Sequence, residues 1–118
     1  MPARSPDNPE PEDRYRDFSI QVPEFYNFGY DVVDAWAARE PGRTALFWVN
    51  QQGEERRYSF RDMKTGSDLA ARLLHDNGIR KGDRVFVMLP RIPEWWVLVV
   101  ALIKLGAVYT PAPTLLTP

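Results

Sequence analysis

The chain has 118 residues and a formal net charge of −1, from 15 basic and 16 acidic side chains. That length can build one modest core, and the balance offers neither a basic stripe for nucleic acid nor an acidic solvating tail. Cysteine is absent, which excludes a disulfide framework, a cysteine-based zinc site and a thiol nucleophile, and fits the reducing cytoplasm expected as its location.

Residues 1–17, MPARSPDNPEPEDRYRD, mix four prolines with charges of both signs. This composition predicts a disordered N-terminal arm. It lacks the apolar core of a signal peptide, and its acidic residues argue against an organelle transit peptide. The next stretch, FSIQVPEFYNFGY over residues 18–30, is rich in aromatics but has no helical or strand period. Such a segment is expected to wrap over a core with its rings as plugs.

Asp31 is expected to open a helix, with Val32, Val33, Trp36 and Ala37 as its apolar stripe, ended by Arg39-Glu40-Pro41-Gly42. A hairpin follows, from Thr44 to Asn50 and from Glu55 to Tyr58 around a tip at residues 51–54. Leu46 and Trp48 share one face of its first strand, and Ala45, Phe47 and Val49 the other. Glu54-Glu55 and Arg56-Arg57 read as a solvated face. Ser59-Phe60-Arg61-Asp62 has the spacing of a capping box and opens a second helix, which carries Met63, Gly66, Ala70, Leu73 and Leu74 along one side. Gly66 costs about 1 kcal/mol against alanine, which suggests close packing there. Asn77-Gly78-Ile79 reads as a Schellman stop. His75, the only histidine, reads as a solvent-edge helix residue. As the only one it excludes a multi-histidine metal site and disfavours a Ser-His-Asp triad.

The rest of the chain is organised around residues 81–118. Val85 to Leu89 is an unbroken apolar run, as in a parallel strand covered on both faces. Pro93 and Glu94 suit the first turn of a helix. From Trp95 to Leu105 that helix is apolar nearly all round, with Lys104 the lone charge, and Gly106 fits the position just past its end. Ala107 to Tyr109 restarts a strand that Pro111 and Pro113 stop. Strand, helix and parallel strand in this order predict a right-handed β-α-β crossover. Trp95 to Leu105 is too short to span a membrane, about half of the ~20 residues needed.

The predicted fold class is therefore α/β. It consists of a partial open parallel sheet with a right-handed crossover, preceded by a helix, a β-hairpin and a second helix, as a fragment of a larger N-terminal domain. An all-apolar helix and a two-faced strand demand more cover than the upstream residues supply, so more sheet and helix are expected beyond Pro118. Thr117-Pro118, a favourable helix start, points the same way.

No catalytic constellation is visible. There is no G-x-x-x-x-G-K-[ST] loop, no G-x-G-x-x-G, no nucleophile–base pair and no metal-spaced cluster. Arg91 and Glu94 border the strand-to-helix turn, where open parallel sheets place ligands. A turn ion pair or helix-end charge is the plainer account of both.

Three stretches together resemble the start of AMP-forming acyl-CoA synthetases, in the adenylate-forming superfamily. They are PEFYNFGYDVVDAWAAREPGRTALFWVN, RRYSFRDM and GDRVFVMLPRIPEWWVLVVALIKLGAVYTPAPTLLT. Residues 58–63 look like the family's first core motif and residues 102–111 like its second. Residues 89–96, LPRIPEWW, favour the medium-chain and acetyl-type ligase branch. The resemblance runs from about Phe18 to the end. It implies that residues 18–118 are the N-terminal portion of an AMP-binding domain whose parent adenylates a carboxylic acid with Mg-ATP and passes the acyl group to coenzyme A. The phosphate loop, ribose-binding acid, hinge and catalytic lysine are implied to lie downstream, so no catalytic residue and no metal ligand is carried over. Residues 111–117 are implied to run near the coenzyme A and acyl channel, with Thr114 and Leu115 as candidates. No nucleic-acid partner and no transmembrane segment are expected, and the fragment alone is expected to be inactive and to bind no cofactor.

Two alternatives remain open from sequence. The chain could be a short non-catalytic binding or regulatory module that docks on a full-length ligase through an uncovered sheet edge and apolar helix. A membrane-associated peptide, resting on Trp95 to Leu105, is the third reading.

Overall fold

The computed structural model describes residues 15–16 and 18–115. The expected arm, apart from residues 15–16, and the expected helix start at Thr117-Pro118 lie outside the described residues.

The first helix starts from Asn27. The Asn27 side-chain oxygen accepts from the Gly29 N–H at 2.9 Å, and the Asp31 carboxylate reaches back to the Asn27 N–H at 2.6 Å. Asp31 therefore caps from within the first turn instead of opening the helix. Gly29–Asp34 is a π-helical stretch, in which the Ala35 N–H donates to the Tyr30 carbonyl, and an α-helix, α1, continues over Ala35–Arg39. The predicted stripe faces inward: Val33 and Ala37 are buried, Val32 and Trp36 half-buried. The aromatic stretch before it does not plug the core. Phe18, Phe25 and Tyr26 stay exposed, and the contact is polar instead, through the Asn27 side-chain N–H donating to the Ile103 carbonyl at 2.8 Å.

β1 (Thr44–Val49) and β2 (Glu55–Ser59) form the antiparallel hairpin. Thr44 faces Ser59 and Leu46 faces Tyr58, so Ala45 is the extra residue of a bulge. Leu46 and Trp48 are half-buried, while Phe47 and Val49 are exposed. The arginines expected to be merely solvated lie on those rings. The Arg57 guanidinium is 4.1 Å from the Phe47 centroid, and that of Arg56 is 5.4 Å from the Trp48 centroid.

α2 spans Phe60–Asp76 and opens with the full capping box. The Asp62 N–H donates to Ser59 Oγ at 3.2 Å and the Ser59 N–H to the Asp62 carboxylate at 2.8 Å. It ends in the expected Schellman motif, with the Ile79 N–H on the Leu74 carbonyl and the Gly78 N–H on that of His75, both at 3.0 Å. Its buried side holds Met63 and Ser67, whereas Leu73, expected there, is 64% exposed. Ala70 and Leu74 of the same stripe are half-buried. Gly66 is one of the contact points, since a Cβ there would lie 3.1 Å from Val97 Cγ1.

β3 (Arg84–Val87) pairs in parallel with β4 (Val108–Pro111), and α3 (Pro93–Leu105) joins them, with Pro93 in its first turn and Gly106 at φ +67° just past its end. α3 packs on α2 and on β4. One face of the strand pair is covered: Val87 is buried and Val85 and Tyr109 half-buried. The other face is not, for Phe86, Met88 and Val108 are exposed. The two-faced cover read from the apolar run is thus met on one side only. Val33, Met63 and Val100 centre the core, with Leu46, Tyr58, Phe60 and Val97 packed around them. Helix, hairpin, helix and crossover therefore meet at one point, the α/β arrangement expected.

Candidate functional site

At the carboxyl ends of β3 and β4 a cleft of about 970 Å³ opens, the position where open parallel sheets bind ligands. The hairpin strand β1 forms one wall and residues 111–115 another, with Leu89, Pro90 and Arg91 and the first turn of α3 between them. Thr114 and Leu115 both line it, as does Arg91, while Glu94 does not. Arg91 is the only charged residue of the lining. Trp95 and Trp96 meet edge to face at 4.7 Å, and Trp48 of β1 donates its indole N–H to the Arg91 carbonyl at 2.7 Å. An apolar cleft with one cation suits a neutral or acyl group better than a polyphosphate. Sequence reading missed Trp48, because its partner is 43 positions away.

The second feature is polar and buried. Lys104, the lone charge of the apolar helix, has a side chain only 1% exposed, and its Nζ is 2.6 Å from carboxylates of both Asp34 and Asp68. Lys64 hydrogen-bonds Asp68 and lies 3.8 Å from Asp34. Burial raises the Asp68 pKa, but the hydrogen bonds from Lys104 and Lys64 more than offset this and hold it below the usual carboxylate value. The Asp68 hydrogen bond raises the Lys64 pKa, chiefly, with Asp34 adding to it. Asp62 is held low by its hydrogen bonds from Ser59. The two ion pairs of Lys104 tie α3 to the π-helical stretch and to α2. The signal was present in sequence, because a buried lysine is almost always paired, but spacing did not name the partners. His75 lies at the solvent edge, with its side chain 56% exposed.

Among the described residues no group of three His, Asp or Glu side chains gathers to hold a metal ion, and no helix is long and apolar enough to cross a membrane.

Comparison with known proteins adds identity to this geometry. Residues 33–118 match the family model of AMP-binding enzymes. Human acyl-coenzyme A synthetase ACSM3, a mitochondrial protein, is 39% identical over 112 residues, covering 90% of this chain and 19% of the relative. Human ACSM4, also mitochondrial, is 42% identical over 102 residues, covering 81% and 18%. The chain thus spans about a fifth of the length of the curated relatives it matches. Among solved structures, the N-terminal subdomain of NpsA from Klebsiella oxytoca superposes with a TM-score of 0.69 at 28% identity, covering 79% of this chain and 23% of that one. The cytoplasmic location expected from composition is corrected by these relatives, which are mitochondrial. A cysteine-free composition is compatible with more than one compartment, and the acidic residues of 1–17, read as speaking against an organelle transit peptide, were too weak a signal to decide between the two.

Proposed function

The chain belongs to the AMP-binding enzyme family, and from that premise we propose that it is the opening part of an AMP-forming carboxylate–coenzyme A ligase. Residues 18–118 are the first portion of its AMP-binding domain. The parent enzyme activates a carboxylic acid with ATP and Mg²⁺, releases pyrophosphate, and transfers the acyl group to coenzyme A. The observation that carries this reading is the match over residues 33–118, joined to 39% identity with an acyl-coenzyme A synthetase. A mitochondrial location follows the same relatives.

The chain's own contribution is positional. Among the described residues no three His, Asp or Glu side chains gather, and the sequence has no glycine-rich phosphate loop, so no residue here is assigned to ATP. The cleft fits the second substrate better. Its apolar walls suit the neutral pantetheine arm or the acyl chain, with Thr114 and Leu115 on the wall that such a group would follow. Excluding water from a thioester and aligning thiol with acyl carbon are the tasks such a wall serves.

The test uses the protein that carries this chain. Carboxylate-dependent exchange of pyrophosphate into ATP, followed by consumption of coenzyme A, is expected. Residues 1–118 alone should show neither. If the isolated chain is instead a soluble, cooperatively melting monomer that binds a full-length ligase without catalysis of its own, the docking-module reading replaces this one. The bare face at Phe86, Met88 and Val108 would then be its contact.

A further inference from the structure

The loop that follows β3 hangs from a single long-range polar tether. The last rung from the strand pair is the Ala112 N–H donating to the Val87 carbonyl at 3.0 Å. Beyond it, residues 89–91 leave the ladder, and the Ile92 N–H on the Pro90 carbonyl at 2.8 Å is internal to the loop. Among the described residues, the one hydrogen bond that reaches this segment from a distant part of the chain comes from Trp48, at 2.7 Å to the Arg91 carbonyl. Pro90 and Pro93 flank that carbonyl and stiffen the backbone around it, so fixing one atom fixes the loop.

The two sides of the cleft are therefore held by different means. The side that carries Thr114 and Leu115 is fixed to the sheet by the Ala112 rung. The Leu89–Arg91 side is fixed to the hairpin by the indole, and no hydrogen bond other than this joins hairpin to crossover unit among the described residues. The gap between the two sides depends on that bond. We infer that Trp48 is a positioning residue for the cleft: its indole N–H holds the 89–91 loop at the spacing that admits the neutral, thiol-ended arm of the acyl acceptor. The inference rests on the ligase reading above. One cation on an apolar lining serves a neutral arm and not a triphosphate, so the effect should spare ATP, and the carboxylic acid's own KM in pyrophosphate exchange tells a thiol arm in the cleft from an acyl chain.

Trp48→Phe keeps a ring on the cleft wall and removes the donor. In the full enzyme it should raise KM for coenzyme A and for pantetheine roughly 3- to 10-fold, as for the loss of one hydrogen bond. Carboxylate-driven pyrophosphate exchange and the thermal midpoint should stay at the wild-type values. An unchanged KM for both thiols overturns the inference. So does a parallel fall in exchange, thioester formation and melting midpoint, which would make Trp48 a structural contact only. Should Trp48→Phe fail to fold, Trp48→Leu also lacks the donor and is judged by the same two half-reactions. A wild-type enzyme that exchanges pyrophosphate but never consumes coenzyme A refutes the ligase reading itself, whereas normal wild-type turnover with an indifferent variant refutes Trp48 alone.

Discussion

Replacing Lys104 by methionine keeps most of the side-chain volume and deletes the charge between Asp34 and Asp68. Breaking one partner out of a fully buried ion pair costs about 3–5 kcal/mol, because the remaining charge is left without water or counterion. Here the two stranded carboxylates differ. Asp68 is 42% exposed and keeps Lys64, so it rehydrates in part, while Asp34 is only 18% exposed and its next cation is 3.8 Å away. Discounting for Asp68 leaves an expected loss of about 2–3 kcal/mol. For a chain of this size that is a fall of roughly 8–20 °C in melting temperature. Urea unfolding at neutral pH, extrapolated to water, measures it. Adding Asp34→Asn to Lys104→Met should recover about 1 kcal/mol, since it removes the more buried of the stranded charges. A loss below about 0.5 kcal/mol for Lys104→Met, the size of an ordinary surface change, would refute the claim that this cluster registers the three helices.

Three further outcomes follow from neighbouring features. Gly29→Ala would set a Cβ 2.5 Å from Lys104 Cγ, whose far end is anchored, so overpacking should cost about 1–3 kcal/mol in the same unfolding assay. Ser59→Ala removes the cap of α2 and should cost about 1 kcal/mol; in an NMR titration the Asp62 pKa should rise, because the hydrogen bond from the Ser59 hydroxyl is the largest of the contributions that lower it and the alanine keeps only the backbone one. Asp68 has a folded-state pKa below the unfolded one, so its contribution is complete above the ordinary carboxylate value. It is lost as pH falls through the lowered one. Asp68→Asn should accordingly flatten the acid limb of a stability–pH profile, and an unaltered limb would show that Asp68 does not drive it.

The sequence carried the parts of this fold that close over a few residues. Ser59 and Asp62 meet within one helical turn, Gly78 and Ile79 fold back on the turn before them, and Pro93 and Gly106 bracket α3 by their own backbone limits. The hairpin and the parallel pair are likewise set by apolar runs and turn residues. The ordered motifs over residues 33–118 were legible as a family signature because they are packing patterns repeated at fixed spacing.

What spacing left undetermined depends on residues brought together from far apart. Lys104 reads as a mere interruption of an apolar helix until Asp34, 70 positions earlier, and Asp68, 36 positions earlier, are seen to close on it. Trp48 reads as one more inward ring until its indole N–H finds a carbonyl beyond β3. Leu73 continues the periodic stripe of Met63 and Ala70, yet it is 64% exposed, while Ala70 and Leu74 on the same stripe are half-buried. Periodicity states which face an element prefers to hide, and a cap states where it begins or ends. Whether that face is covered, and which charge meets which, is decided by long-range packing, because burial and ion pairing belong to the space between elements and not to any one of them.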